Sequence, residues 1–186
     1  MMTADRMPPL ADEAMTDEQR RCAREIADGP RGGVYGPFVP LLRSPELAGH
    51  AQRMGEYLRY RSAIGTLSEL AILVVARAWS QPVEWSIHAP IALGVGIAAE
   101  TIAAIASGKE PRGLPDDQQV VYDFCRELCT DKSVSDATYE RTKARFGDKG
   151  IIDLAGINGY YTLLAMVMNI ARTSAPDVGG ARLPEL

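Results

Sequence analysis

Three side chains in the middle of the chain have types and spacing suited to proton chemistry: Glu69, Glu84 and His88. Glu84 and His88 are four residues apart in PVEWSIHAPIALG, and Glu69 lies in the preceding apolar run LSELAILVVARAW. On an α-helix an i,i+4 pair shares one face, with Cβ atoms about 5–6 Å apart. Glu84 and His88 can therefore meet, and a carboxylate beside an imidazole raises the imidazole's proton affinity. The chain has only two histidines, His50 and His88. His88 sits among Trp85, Ile87, Ala89 and Pro90, which predicts shielding from water. An imidazole tuned by carboxylates in a mostly apolar cleft can remove a proton from carbon or deliver one. One His with two Glu is a thin set for zinc, no HExxH spacing occurs, and no metal is expected. No GxSxG nucleophile elbow is present either. A purely structural alternative is a buried Glu–His hydrogen bond that only joins two helices.

The elements that must position these groups are helical. No stretch shows the alternation of a half-buried strand, and the pattern is all-α with about eight helices. Thr16-Asp-Glu-Gln19 matches a capping box and predicts a helix ending at Gly29. The glycine-rich GPRGGVYG, Gly29–Gly36, reads as a connector, followed by an extended Gly36-Pro-Phe-Val-Pro. Ser44-Pro45 starts a helix to about Arg61, with Leu47, Met54 and Leu58 as its buried stripe and His50 at its rim. Thr66-Leu-Ser-Glu69 is a second capping box, which makes N-capping the ordinary duty of Glu69. The helix it opens is densely apolar to Trp79. Pro82 opens the next one, and Pro90 should kink or loosen it just after His88. Further helices are expected over AAETIAAIASG, from Pro115 to Thr130, from Ser135 to Phe146, and from Ile151 to Ala171, the last interrupted at Asn158-Gly159.

The totals bound the function. The chain has 186 residues, 46% hydrophobic and 24% charged, with a net charge of −4, which suits one soluble globular domain without a basic stripe for nucleic acid. Charged and polar residues break the apolar stretches before the ~20 residues of a membrane span, and no secretory h-region is seen, so a cytoplasmic protein with no membrane partner is expected. Three cysteines, Cys22, Cys125 and Cys129, do not make a disulfide framework. Cys125 and Cys129 are an i,i+4 pair best read as two small buried thiols.

The stretch SELAILVVARAWSQPVEWSIHAPIALGVGIAAETIAAI resembles the signature of the carboxymuconolactone decarboxylase family, the superfamily that includes the AhpD-type alkylhydroperoxidases. The likeness rests on SELAIL, the tryptophan closing that helix, EWSIH, the small-residue helix ending in Gly94, and ETIAAI, in that order. It extends over residues 36–172, with 1–35 as a lead-in with one helix and 173–186 as a flexible tail. The resemblance implies an AhpD-like helical bundle that assembles with copies of itself, as a dimer, trimer or hexamer. Laid on the AhpD-type C-x-x-C-x-x-x-H motif, the two cysteines fall at Gln81 and Glu84, the histidine at His88 and the upstream glutamate at Glu69. Both thiols are absent, which speaks against thiol peroxidase chemistry. The retained triad implies the decarboxylase-like branch, which needs no cofactor and acts on a small carboxylated, lactone or aromatic-derived compound. By that analogy His88, held by Glu84, delivers a proton, and Glu69 orients or recharges the pair. Arg61 or Arg77 would hold an anionic substrate, and Trp85, Tyr57 and Tyr160 would wall the cleft. A redox enzyme with unconventional cysteines and a non-catalytic ligand-binding oligomer are the alternatives.

Overall fold

A computed structural model describes residues 5–175 and 182–185. Eight α-helices follow one another among the described residues: α1 (Asp17–Asp28), α2 (Phe38–Leu41), α3 (Pro45–Tyr60), α4 (Ser68–Ala78), α5 (Pro82–Gly94), α6 (Ala99–Ala106), α7 (Asp116–Asp131) and α8 (Asp136–Ala171). No strand occurs among these residues. Short 3-10 turns at Asp12–Ala14 and Gly65–Leu67 complete the path.

The centre is α4. Its residues Ser68 to Ala76 are all buried, and it packs against α5, α6, α7 and α8. A helix buried on every side needs apolar residues all round, and SELAILVVA supplies them with one acid inserted. The first capping box forms as expected: Thr16 accepts from the Gln19 amide, and Gln19 Oε1 accepts from the Thr16 amide at 2.9 Å. The second does not. The chain enters α4 through the Gly65–Leu67 turn, the cap residue is Leu67, and no side chain caps the helix. The Glu69 carboxyl is left free for another partner.

Two more expectations are corrected in the first third of the chain. The segment after Gly36 is not extended. Phe38–Leu41 makes one helical turn, with the Leu42 amide donating to Phe38 O at 3.0 Å, and it buries Phe38, Leu41 and Leu42. Pro40 is tolerated because a first turn uses few of its own amides. In α3 the buried stripe is Ala48, Ala51, Gly55 and Leu58, whereas Leu47 and Met54 are exposed. Small residues win because α3 must approach its neighbours closely. A Cβ on Gly55 would come within 2.2 Å of the Tyr160 hydroxyl oxygen of α8.

Asn158-Gly159 does not interrupt α8. The Asn158 side chain donates to Leu154 O at 2.9 Å, one turn back, so its amide follows the helix. The break falls at Gly147, whose φ of 67° only glycine adopts at little cost. Charged residues do not break every long apolar stretch either. By length and composition alone α8 could cross a membrane, although half of its most apolar stretch is buried in the fold. Likewise, helix α5 runs through Pro90 to Gly94 without a break.

The chain ends are more tied than a loose lead-in and tail suggest. The Arg6 amide donates to Ala171 O at 2.7 Å, Asp5 accepts from Ser174, and Pro184 O accepts from Arg77 at 2.7 Å. Residues 1–4 of the expected lead-in, and 176–181 and 186 of the expected tail, lie outside the described residues.

Asp153 is the main polar anchor between α3 and α8. Its two oxygens accept from the Tyr57 hydroxyl at 2.8 Å, the Ala63 amide at 2.7 Å and Lys149 Nζ at 2.5 Å. Burial works against its charge, but these three bonds outweigh it and hold the carboxyl below its ordinary range. Lys149 is solvent-exposed and adds little. Replacing Asp153 by Ala strands a backbone amide and a hydroxyl, so stability falls by about 1–3 kcal/mol in urea unfolding.

Candidate active site

Glu69 and His88 meet across the α4–α5 contact. His88 Nδ1 lies 2.7 Å from Glu69 Oε2, and both side chains are more than nine-tenths buried. A carboxylate can only accept, so the shared proton belongs to Nδ1 and Nε2 is left as a bare base. Glu69 is thus the residue that orients the ring. Glu84, the i,i+4 neighbour expected to do so, makes no hydrogen bond to it.

The Glu84 carboxyl is buried and neither oxygen has a partner. Burial alone pushes it well above the ordinary carboxylate range and so favours its protonated form. The imidazole moves the other way. Burial outweighs the Glu69 hydrogen bond, with Arg59 and Arg31 adding to the downward shift, and His88 is neutral at pH 7. A carboxylate does raise its proton affinity, but it is Glu69 and not Glu84, and desolvation is the larger effect.

Aromatic rings pack around the dyad. Tyr161 stands edge-on to the His88 ring at 5.2 Å, and Tyr160 stands edge-on to Tyr161 at 5.2 Å. Tyr160 is 1% exposed and its hydroxyl has no hydrogen-bond partner. Trp85 is fully buried with its indole N–H unpaired.

Of the residues expected to line the cleft, Tyr160 is brought to the site and Trp85 lies one turn from His88. Tyr57 is engaged elsewhere: its hydroxyl donates to Asp153 and its ring lies under Lys149 and Arg61. Arg77 is held by Ala106 O, Pro184 O and Ser80 Oγ. Arg61 is exposed and pairs loosely with Glu56 at 3.9 Å. Neither bonds to Glu69, Glu84 or His88. Tyr161 against the His88 ring and Arg31 in the connector are neighbours that the sequence pattern missed, whereas Arg59, at the end of α3, stands where long polar side chains could be expected to edge a pocket.

A narrow cleft beside Tyr160 is lined by Pro30, Arg31, Gln52, Gly55, Glu56, Arg59 and Tyr60. Its free volume of about 10 Å³ is room for about one water.

Gln81, which the resemblance sets against a redox thiol, is a structural clamp: Oε1 caps α5 by accepting from the Val83 amide at 2.7 Å, and Nε2 donates to Asn169 Oδ1 of α8 at 2.8 Å. The cysteines that remain are poor nucleophiles. Burial pushes the Cys125 thiol up to about 12 and raises Cys129 as well, and burial also raises Cys22. Among the described residues no three His, Cys, Asp or Glu side chains are grouped to hold a metal ion.

Among solved structures the chain is similar to the crystal structure of an alkylhydroperoxidase AhpD core, an uncharacterized peroxidase-related protein from Ralstonia eutropha JMP134. The TM-score is 0.69 at 19% identity, over 94% of each chain. The chain has the AhpD-like fold. No family model matches the sequence, and no curated protein matches it. At this identity the likeness speaks for the AhpD-like helical arrangement and leaves the chemistry to the site.

Proposed function

We propose that the protein is a cofactor-independent acid–base catalyst acting on a small carboxylated, lactone or aromatic-derived compound, by decarboxylation or proton transfer. One observation carries this reading: α5 holds a buried imidazole fixed at 2.7 Å by Glu69 and, four residues before it, a buried carboxyl with neither oxygen partnered. Burial moves the two in opposite directions, His88 toward the neutral base and Glu84 toward the protonated acid. Groups of opposite tuning in one apolar site are the assignment of base and acid.

In a proton-transfer reaction Nε2 takes a proton from an acidic carbon, and the electron pair passes into an adjoining carbonyl as an enolate. Glu84 returns a proton to a carbon of that enolate. In a decarboxylation the C–C bond breaks, CO2 leaves, its electron pair forms the enolate, and Glu84 supplies the proton. Glu69 keeps His88 in the right tautomer and stabilises the imidazolium when it forms.

The peroxidase alternative loses support from the thiols, all three of which are shifted away from thiolate. Assembly with further copies remains our reading. Ile152, Met166 and Ile170 form an exposed apolar row on α8 that supports it, as does a cytoplasmic site of action the mixed, slightly acidic composition.

The test is deuterium incorporation, read by mass spectrometry, in small keto acids, lactones and carboxylated aromatics incubated with the protein in D2O. Exchange or CO2 release is expected from the parent and, undiminished, from a variant with Cys22, Cys125 and Cys129 all changed to Ala. Activity that vanishes with the cysteines, in a variant that still folds, would return the chemistry to a thiol.

A further inference from the structure

A buried hydroxyl and two guanidiniums meet at the narrow cleft. Beneath it lies the Tyr160 hydroxyl, buried without a partner against Gly55, which lines the cleft. Above are two guanidiniums. Arg59 makes no hydrogen bond or ion pair with any described residue and only lies over the Tyr60 ring, 5.4 Å from its centroid. Arg31 is stacked 4.0 Å over the Phe38 ring and steadied by Nε donating to Gln52 Oε1 at 2.9 Å, with its two Nη groups uncommitted. It is close to Tyr160 but outside hydrogen-bonding geometry. Both cations are felt at the His88 ring. The acid in the cleft wall, Glu56, faces Arg61 instead.

Arg31 and Arg59 are half-buried and neither makes an ion pair with a carboxylate, although Arg59 feels the Glu69 charge. Partly buried cations are ordinarily paired. Arg31 is held in place by a ring and an amide that leave its two Nη groups uncommitted, the preorganisation that two-pronged recognition of a planar anion requires. We propose that Arg31 and Arg59 are the carboxylate-binding pair of this site, so that its substrate carries a carboxylate anchored there while its reacting carbon reaches His88. This rests on the acid–base reading of His88 and Glu84 for the second half of the statement only. The anchored carboxylate is a handle and not the group lost as CO2, because ion pairing stabilises a carboxylate against leaving. The glycines of the connector, with Gly32 at φ 73° and Gly36 at φ 57°, let the segment bearing Arg31 fold over the cleft.

Binding of benzoate to the full chain, followed by NMR titration with the neutral isostere benzamide as control, tests the pair. Benzoate is expected to bind and benzamide to bind about tenfold more weakly or not at all. Arg59→Gln and Arg31→Gln are each expected to lower benzoate affinity about tenfold or more, the loss of a charge-assisted hydrogen bond. Arg59→Lys keeps the charge but loses the fork and is expected to recover only part. His88→Gln, which removes the base, should bind benzoate as the parent does, so a failed acid–base reading leaves this result standing. Equal affinity for benzoate and benzamide, no binding of either, or parent-like binding by both glutamine variants in folded protein would each overturn the proposal.

Discussion

His88→Gln lowers the rate of carbon–hydrogen exchange by about 10²–10⁴-fold, the usual worth of a positioned general base. Glu69→Gln is expected to cost a comparable factor although it touches no substrate. The reason is the tautomer. A carboxylate at position 69 can only accept from Nδ1, which leaves Nε2 bare. An amide there can donate to Nδ1 instead, which moves the ring proton to Nε2 and removes the base. The two changes act on one unit, so the double variant should be little worse than either single one. The acid limb of the pH–rate profile should have its midpoint below 6.5, the side to which burial moves the imidazole. Exchange rates for the parent, both single variants and the double variant decide the matter. A Glu69→Gln protein that retains the parent rate would reduce the Glu69–His88 bond to a link between two helices.

Glu84→Gln is expected to stabilise the protein increasingly as pH rises. The folded-state pKa of Glu84 lies well above its ordinary value of 4.5, because burial without partners disfavours the charged form. For a raised pKa the stability is fully present below the unfolded value and is lost as pH climbs through the folded one. The loss proceeds at up to about 1.4 kcal/mol per pH unit, one proton's worth. A glutamine amide never ionises, so the variant lacks this decline. His88 works in the opposite sense: its depressed pKa contributes stability above 6.5 that is lost on acidification through the lower, folded value. Cys125, raised from 9.0, can add its own alkaline loss only above about 9. Urea unfolding of parent and Glu84→Gln at about pH 5 and about pH 8 gives the comparison. Matching differences at the two values would mean that Glu84 ionises freely in the fold and cannot serve as a neutral acid. A buried, unpartnered carboxyl costs stability in a core, and the proton donation proposed above is a use that would offset it.

Much of the scaffold can be read from neighbours in sequence. The helical class, the Thr16–Gln19 capping box, the start at Pro82 and the break at Gly147 follow from periodicity and from backbone-restricted residues, and each acts within about one turn of itself. The residue types of the site were legible for the same reason: an acid in an apolar helix and an acid four residues before a histidine are local anomalies. Spacing errs where helix faces must be assigned. Leu47 and Met54 have the right period for a core stripe, yet the face carrying Ala48, Ala51 and Gly55 turns inward, because a tyrosine from α8 needs that room.

Residue order alone dictates the inventory: an all-helical chain with Glu69, Glu84 and His88 on two successive helices. The pairing follows from how those helices pack. Glu84 shares a helix with His88 but is left unpartnered, while Glu69 reaches the ring from α4. Tyr161, Arg31 and Arg59 join them from α8, the connector and α3. Helical spacing governs only which side chains of one helix share a face. Which of them meet a partner depends on how separate helices pack, and burial at that contact sets the protonation states on which the chemistry rests.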